Sequence, residues 1–363
     1  MNSYKKAKRI FIVGIILTIF VVFLLFIFQS YPNISIEQRN FYKIESDNYI
    51  SQPYFTRDGA NICKVNDGYC VKRDNAIYWY NDALSSNRLV TSISDTHKNI
   101  YGYNGEVYTF KHIDNSVFVV SIDINLGTVN ELFEVGTYES EFFDSWKMAI
   151  DSDSIYVTDG KSNKRIYIYQ YNKTTKDKKE IADFSGKKLY FSDMKVYGKE
   201  LFYSISDNTN STYNKMKVAR IYKYNPATNN TMQISSYDFK YFTVNQKESL
   251  LLAFNESTCS FSETNLDSDK LGFHRNNDLA SVDSYVFGDD KYFFTVNNDG
   301  SNKNIIIHNI LATHSENISS ITIPIDEDVV FADELYIFFS SGKVLKKEDI
   351  LNKTYDDIDL SIY

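Results

Sequence analysis

Between about residue 60 and residue 350, short runs of branched and aromatic side chains alternate with polar turn residues in a two-part phrase. The clearest copy runs from Gly198 to Ser235. G-K-E-L-F-Y-S-I-S predicts a strand opened by a turn residue. After a polar insertion, I-Y-K-Y-N-P-A-T-N-N-T-M-Q-I-S predicts a second strand, a tight turn at 225–230 and a short closing strand. The first half of the phrase recurs from Asp74, Gly105, Asp153, Lys247, Asp289 and Asp333. With Ile77, Val107, Ile155, Leu201, Leu250, Tyr292 and Leu335 taken as equivalent, the steps are 30, 48, 46, 49, 42 and 43 residues. The second half recurs at Val117, Ile166 and Ile221, and more weakly at Leu271 and Ile305.

A unit of about 40–50 residues that cannot bury both faces alone is the signature of a stacked repeat. The pattern therefore predicts an all-β fold, a β-propeller of seven blades, with six or eight as the neighbouring counts. A β-sandwich or two small all-β domains is the alternative, and neither needs seven roughly even copies. Closure is expected between the two ends of the chain, with residues after Leu345 sharing a blade with those around Tyr54 to Val65.

The phrase resembles the propellers of the low-density lipoprotein receptor type, whose signature is Tyr-Trp-Thr-Asp, and related membrane-anchored bacterial surface propellers. Tyr156-Val157-Thr158-Asp159 is the best match and Tyr78-Trp79-Tyr80-Asn81 a partial one. The resemblance spans roughly residues 60 to 350 and implies a fold rather than an activity.

The amino terminus is of another kind. Residues 1–9 carry Lys5, Lys6, Lys8 and Arg9 with no acidic residue, and Ile10 to Phe28 is an uncharged run of 19 residues. At ~1.5 Å per residue this run reaches about 28 Å, near the ~30 Å hydrocarbon thickness of a bilayer. A cleaved signal peptide and a buried core helix are the alternatives. The run is long for a signal peptide, and bulky Leu-Phe-Ile-Phe precedes its exit where a peptidase needs small residues. The expected organisation is a cytoplasmic tail at 1–9, a transmembrane helix at 10–28, an extracytoplasmic stalk at 29–49 and the propeller at 50–363, with the basic tail inside.

The chain has 47 acidic and 39 basic residues, a net charge of −8, and the tail holds four of the positives. The sign and the compartment both disfavour a nucleic-acid partner. Cys63 and Cys70 flank Asp67-Gly68, a hairpin turn pair, and are candidates for a disulfide in an extracytoplasmic chain, two free thiols being the other reading. Cys259 has no sequence partner. The histidines, His97, His112, His274, His308 and His314, show no zinc spacing. D-S-D-S from Asp151 and D-E-D from Asp326 gather oxygen ligands without the spacing of a helix-loop-helix calcium site, so no metal and no cofactor is assigned. No phosphate loop or nucleophile elbow is present.

These readings point to a membrane-tethered extracytoplasmic binding module for a protein or cell-envelope polymer, without enzymatic activity. The alternative is a hydrolase or lyase acting on envelope glycans or peptides from the propeller channel. A signalling input domain is a third option, acting only through a membrane partner because nine cytoplasmic residues hold no effector.

Overall fold

The computed structural model describes residues 55–56, 61–138, 146–158, 165–185, 189–207, 218–235, 241–245, 250–255, 260–266, 274–278, 285–288, 292–298, 300–309, 317–324, 326–333, 335–352 and 358–359. The expected tail, membrane helix and stalk lie outside these residues. No helix among the described residues is long and apolar enough to cross a membrane.

The described strands form seven antiparallel sheets, six of four strands and one of five, and the fold is an all-β propeller. Blades 1 to 6 follow the chain, each laid down as a meander from an inner to an outer strand. Blade 1 runs from Ile62–Val65 to Asn87–Ser92, and blade 2 from His97–Tyr103 to Val129–Thr137. Blade 3 comprises Met148–Ile150, Ser154–Thr158, Arg165–Asn172 and Lys178–Ser185. Blade 4 comprises Leu189–Tyr197, Glu200–Asp207, Val218–Asn225 and Asn230–Gln233. Blade 5 runs from Tyr241–Asn245 to His274–Asp278, and blade 6 from Tyr285–Gly288 to Asn317–Pro324.

Blade 7 is built from Val329–Ala332, Tyr336–Phe339 and Lys343–Lys346, and then takes one strand from each end of the chain. Phe55–Thr56 pairs with Val329–Ala332 on the axis side, and Ile358–Asp359 pairs with Lys343–Lys346 on the rim. The expected sharing of a blade by the two ends holds for Phe55–Thr56, whereas Ile62–Val65 already opens blade 1. Such closure removes two sheet edges that would otherwise be exposed.

Burial follows radial position. In blade 3 the two innermost strands are buried at every residue, while the outer strand Lys178–Ser185 reads mostly exposed or half-buried. Inner strands are covered on both faces by their neighbours and so are nearly continuous apolar runs. Inner strands of adjacent blades also approach closely. A Cβ on Gly102 of blade 2 would lie 1.7 Å from the Lys64 carbonyl oxygen of blade 1, so only glycine fits there.

Register moves two later counterparts of Ile155, from Tyr292 to Phe293 and from Leu335 to Ile337, and two strand assignments are also corrected. The copy beginning at Asp74 is the third strand of blade 1, Ala76–Asn81; the second is Gly68–Arg73. Hairpin register makes Tyr69 the counterpart of Val107 and lengthens the short first step to 38 residues. The weak copy at Leu271 leads into the fourth strand of blade 5, since the third is the polar Ser260–Asn265. In both places hydrophobic weight points to the wrong strand of a four-strand unit.

A pocket between blades 3 and 4

Blade 3 enters the site through the turn joining its inner two strands. The Asp151 amide donates to the Ser154 carbonyl at 3.0 Å, and Asp151 Oδ1 accepts from the amides of Asp153 and Ser154 at 2.7 and 2.6 Å. A short carboxylate suits this position because it reaches the backbone two and three residues onward. Both donors are taken by Oδ1, which leaves Oδ2 for other partners.

Blade 4 faces this turn with its own, Gly198–Lys199, at φ of 53° and 72°. Glycine adopts that left-handed backbone readily and lysine does not. Lys199 is held there with its Nζ 2.9 Å from Asp153 Oδ2, across the gap between blades. The outer hairpins of the same blades supply the remaining sides through Asn172 and Asn225, each capping its own turn by accepting two backbone amides. These turns enclose a cavity of about 520 Å³, into which Tyr156 and Gln170 reach from the strands of blade 3.

Its charges are matched locally. Asp153 is paired with Lys199, Glu200 with Lys223 at 2.6 Å, and Lys173 donates to the Asp151 carbonyl at 2.5 Å. Gln170 is fixed by donating to Ser154 Oγ at 2.8 Å and accepting from Tyr224 OH at 3.1 Å. Burial raises the Asp151 carboxyl pKa, outweighing the backbone donors and Lys173, and burial lowers that of Lys173. Tyr156 is fully buried against Tyr224, with ring centroids 6.5 Å apart. Its buried hydroxyl lies beside the side chains of Asp151 and Ser154, and burial first, then the Asp151 charge, pushes its pKa up.

The residues singled out from sequence are distributed elsewhere. Cys63 and Cys70 stand directly opposite each other in blade 1, both buried and both free thiols. Burial raises both pKa values, that of Cys70 to about 12. An opposed pair in an antiparallel ladder falls within the separation a disulfide spans. His97 is buried, its Nδ1 3.0 Å from Ser94 Oγ and its pKa lowered by burial. His112 stacks on Tyr138 at 4.1 Å. His314, Cys259 and the side chains of His274 and His308 lie outside the described residues. In the D-E-D stretch, Glu327 accepts from Ser340 and Ser341, and Asp328 from Lys303. Among the described residues no cluster of His, Cys, Asp or Glu is placed to hold a metal ion.

Tyr156 and the Asp151 turn entered the sequence reading separately, one as part of a family signature and the other as a weak calcium candidate. The usable signal was a comparison between repeats. Asp333 opens the same turn in blade 7, but the place of Ser154 is taken there by Tyr336.

No family model and no curated protein matches the chain. Solved structures do. The tricorn protease matches at a TM-score of 0.57 and 10% identity over 88% of this chain and 36% of its own. Dipeptidyl peptidase 4 of Porphyromonas gingivalis matches at 0.50 and 16% over 85% of this chain and 54% of its own. A chain of the nidogen/laminin complex matches at 0.43 and 11% over 69% and 92%. The chain thus spans about a third of the tricorn protease and about half of the peptidase. At these identities the likeness establishes the propeller fold alone.

Proposed function

We propose that the chain is a membrane-tethered propeller held outside the cytoplasm, where it binds a protein or cell-envelope polymer through the pocket between blades 3 and 4. The kinship suggested by Tyr156-Val157-Thr158-Asp159 with receptor-type propellers belongs to the same proposal. The observation that carries the binding reading is the pocket itself. Its polar groups are mounted on tight turns and fixed by hydrogen bonds, which lowers the ordering cost of binding. The tether is supported by the uncharged run Ile10 to Phe28 behind a basic tail.

The alternative activity, hydrolysis or elimination on envelope glycans or peptides, is favoured by one observation, the buried Asp151 carboxyl with its raised pKa beside Tyr156. The full-length chain in nanodiscs, presented with solubilised envelope proteins and purified wall polymers, tests the binding reading. One saturable partner, retained intact, supports it. Conversion of the retained material to smaller products replaces it with the enzymatic one. Labelling with a membrane-impermeant reagent tests the orientation, which requires the propeller lysines to react in intact cells.

A further inference from the structure

Two registers are open to the hairpin that begins blade 1. In the observed one Val65 pairs with Gly68 across Asn66-Asp67, which sets Lys64 opposite Tyr69 and Cys63 opposite Cys70. A turn at Asp67-Gly68 is the stronger local signal, and neither Asn66 nor Asp67 has the positive φ of the primed turns that two-residue hairpins favour. That turn would slide the pairing by two residues and place Cys63 opposite Lys72. Because side chains alternate with period two, the slide leaves each residue on its own face, Tyr69 and Val71 on one and Cys63 and Cys70 on the other. The apolar pattern therefore does not choose between the registers. The observed one is that in which Tyr69 reaches Asp333 of blade 7.

Sulfur distinguishes the two. The Lys72 amide donates to the Asn61 carbonyl at 2.7 Å, so Asn61 and Lys72 are a hydrogen-bonded pair and, two residues along each strand, so are Cys63 and Cys70. Such pairs hold their Cα atoms about 5.5 Å apart, at the commonest disulfide separation of about 5.5–6 Å. Both side chains enter one apolar cluster with Val65, Ile77, Ile100 and Val107. Ile100 and Val107 belong to blade 2, so the thiols are covered only when the second blade packs. Burial then raises both thiol pKa values and removes the thiolate that exchange requires.

We propose that Cys63 and Cys70 are oxidised to a disulfide on the newly formed hairpin, and that this bond locks blade 1 in the register that presents Tyr69 to blade 7. Two thiols lose two protons and two electrons to an incoming disulfide donor, which leaves as two thiols. Packing of blade 2 then seals the bond from reductants. The bond rests on the placement of the propeller outside the cytoplasm, the compartment in which disulfides form and persist.

The test is the thiol state of the full-length chain taken from intact cells, read by maleimide alkylation in denaturant, proteolysis and mass spectrometry. Cleavage after Lys64 separates the two cysteines, so a bonded pair appears as two joined peptides that part on reduction. Joined, unalkylated peptides are expected in nearly all of the protein. Alkylated Cys63 and Cys70, or either one bonded to Cys259, overturns the bond. If the thiols are alkylated, labelling of propeller lysines by an impermeant reagent leaves the orientation standing, and unlabelled lysines remove it as well. Refolding of the propeller from urea, with the full-length chain held in nanodiscs, tests the lock. The oxidised wild type is expected to refold about three- to tenfold faster than the reduced wild type and than Cys63→Ala/Cys70→Ala, which keeps the face apolar and carries no bond. Equal rates, or a slow phase confined to the reduced wild type, overturn the register role.

Discussion

The junction between blades 7 and 1 and the junction between blades 3 and 4 start from the same turn and end differently. In blade 7 Asp333 accepts from the amides of Leu335 and Tyr336, both at 2.9 Å, as Asp151 does from Asp153 and Ser154. The next blade then answers. Blade 1 sends Tyr69, whose hydroxyl donates to Asp333 Oδ2 at 2.5 Å and whose ring packs on Phe331, Tyr336 and Phe338. At the register position of Tyr69, blade 4 carries Leu201, which has no hydroxyl to offer Asp151. Where blade 7 has Tyr336, blade 3 has Ser154. Two exchanges of tyrosine for a smaller or apolar residue separate a sealed aromatic junction, where the ring of blades closes, from an open pocket. A propeller repeats one interface, and a pocket opens where a repeat leaves that interface unfilled.

The largest expected effect tests the sealed side. Tyr69→Ala removes a fully buried ring from the closure and is expected to cost about 3–5 kcal/mol in denaturant melts. A loss below about 1 kcal/mol would show that the two junctions are not energetically distinct.

The next prediction applies one substitution to both sides. Tyr69→Phe removes only a hydroxyl that holds a buried carboxylate, and is expected to destabilise by about 1–3 kcal/mol. Tyr156→Phe removes a buried hydroxyl that lies beside Asp151 and Ser154 without a well-formed bond to either, and is expected to cost less than about 1 kcal/mol. Equal losses at the two positions would mean that Tyr156 is satisfied in solution.

A smaller effect concerns pH. Burial raises the folded-state pKa of Asp151 above its unfolded value, so the native state binds the proton more tightly than the unfolded chain does. That contribution is most favourable below the unfolded pKa of ~3.9 and is lost as pH rises through the higher folded pKa. Asp151→Asn keeps an Oδ1 for the turn and does not titrate. The stability of the wild type relative to this variant is therefore expected to fall as pH increases from about 4 upward; a flat or rising difference would remove the burial argument.

The smallest effect is at Lys199. Lys199→Gly relieves its left-handed backbone and deletes its exposed pair with Asp153, and is expected to raise the melting temperature slightly. A fall would mean that the pair across the blades outweighs the strain.

Much of the fold was legible because its signals are local. Period-two runs such as Ile166 to Tyr171 and turn residues such as Asn225 are set by neighbours within a few positions, and they place strands, hairpins and a repeat length. Even so, Ala76–Asn81 passed for a second strand because hydrophobic weight does not count strands within a blade. The facing of Cys63 and Cys70 did not follow from Asp67-Gly68: the two-residue turn is Asn66-Asp67, with Gly68 already paired to Val65, and a turn one residue later sets Cys63 opposite Lys72.

By itself, then, the sequence determined an all-β repeat, the element boundaries that turn chemistry enforces, and a terminal apolar run of membrane-spanning length. The pocket was decided only in the tertiary structure. Asp151 and Tyr156 come from one blade and Glu200 and Asn225 from the next, and their meeting depends on how two sheets stack rather than on any spacing along the chain. Tyr69 and Asp333 are 264 residues apart and meet only because the ring closes. Whether a buried carboxylate is sealed or left open is a property of the facing surface. That surface is supplied by side-chain volumes from another repeat, which no local pattern encodes.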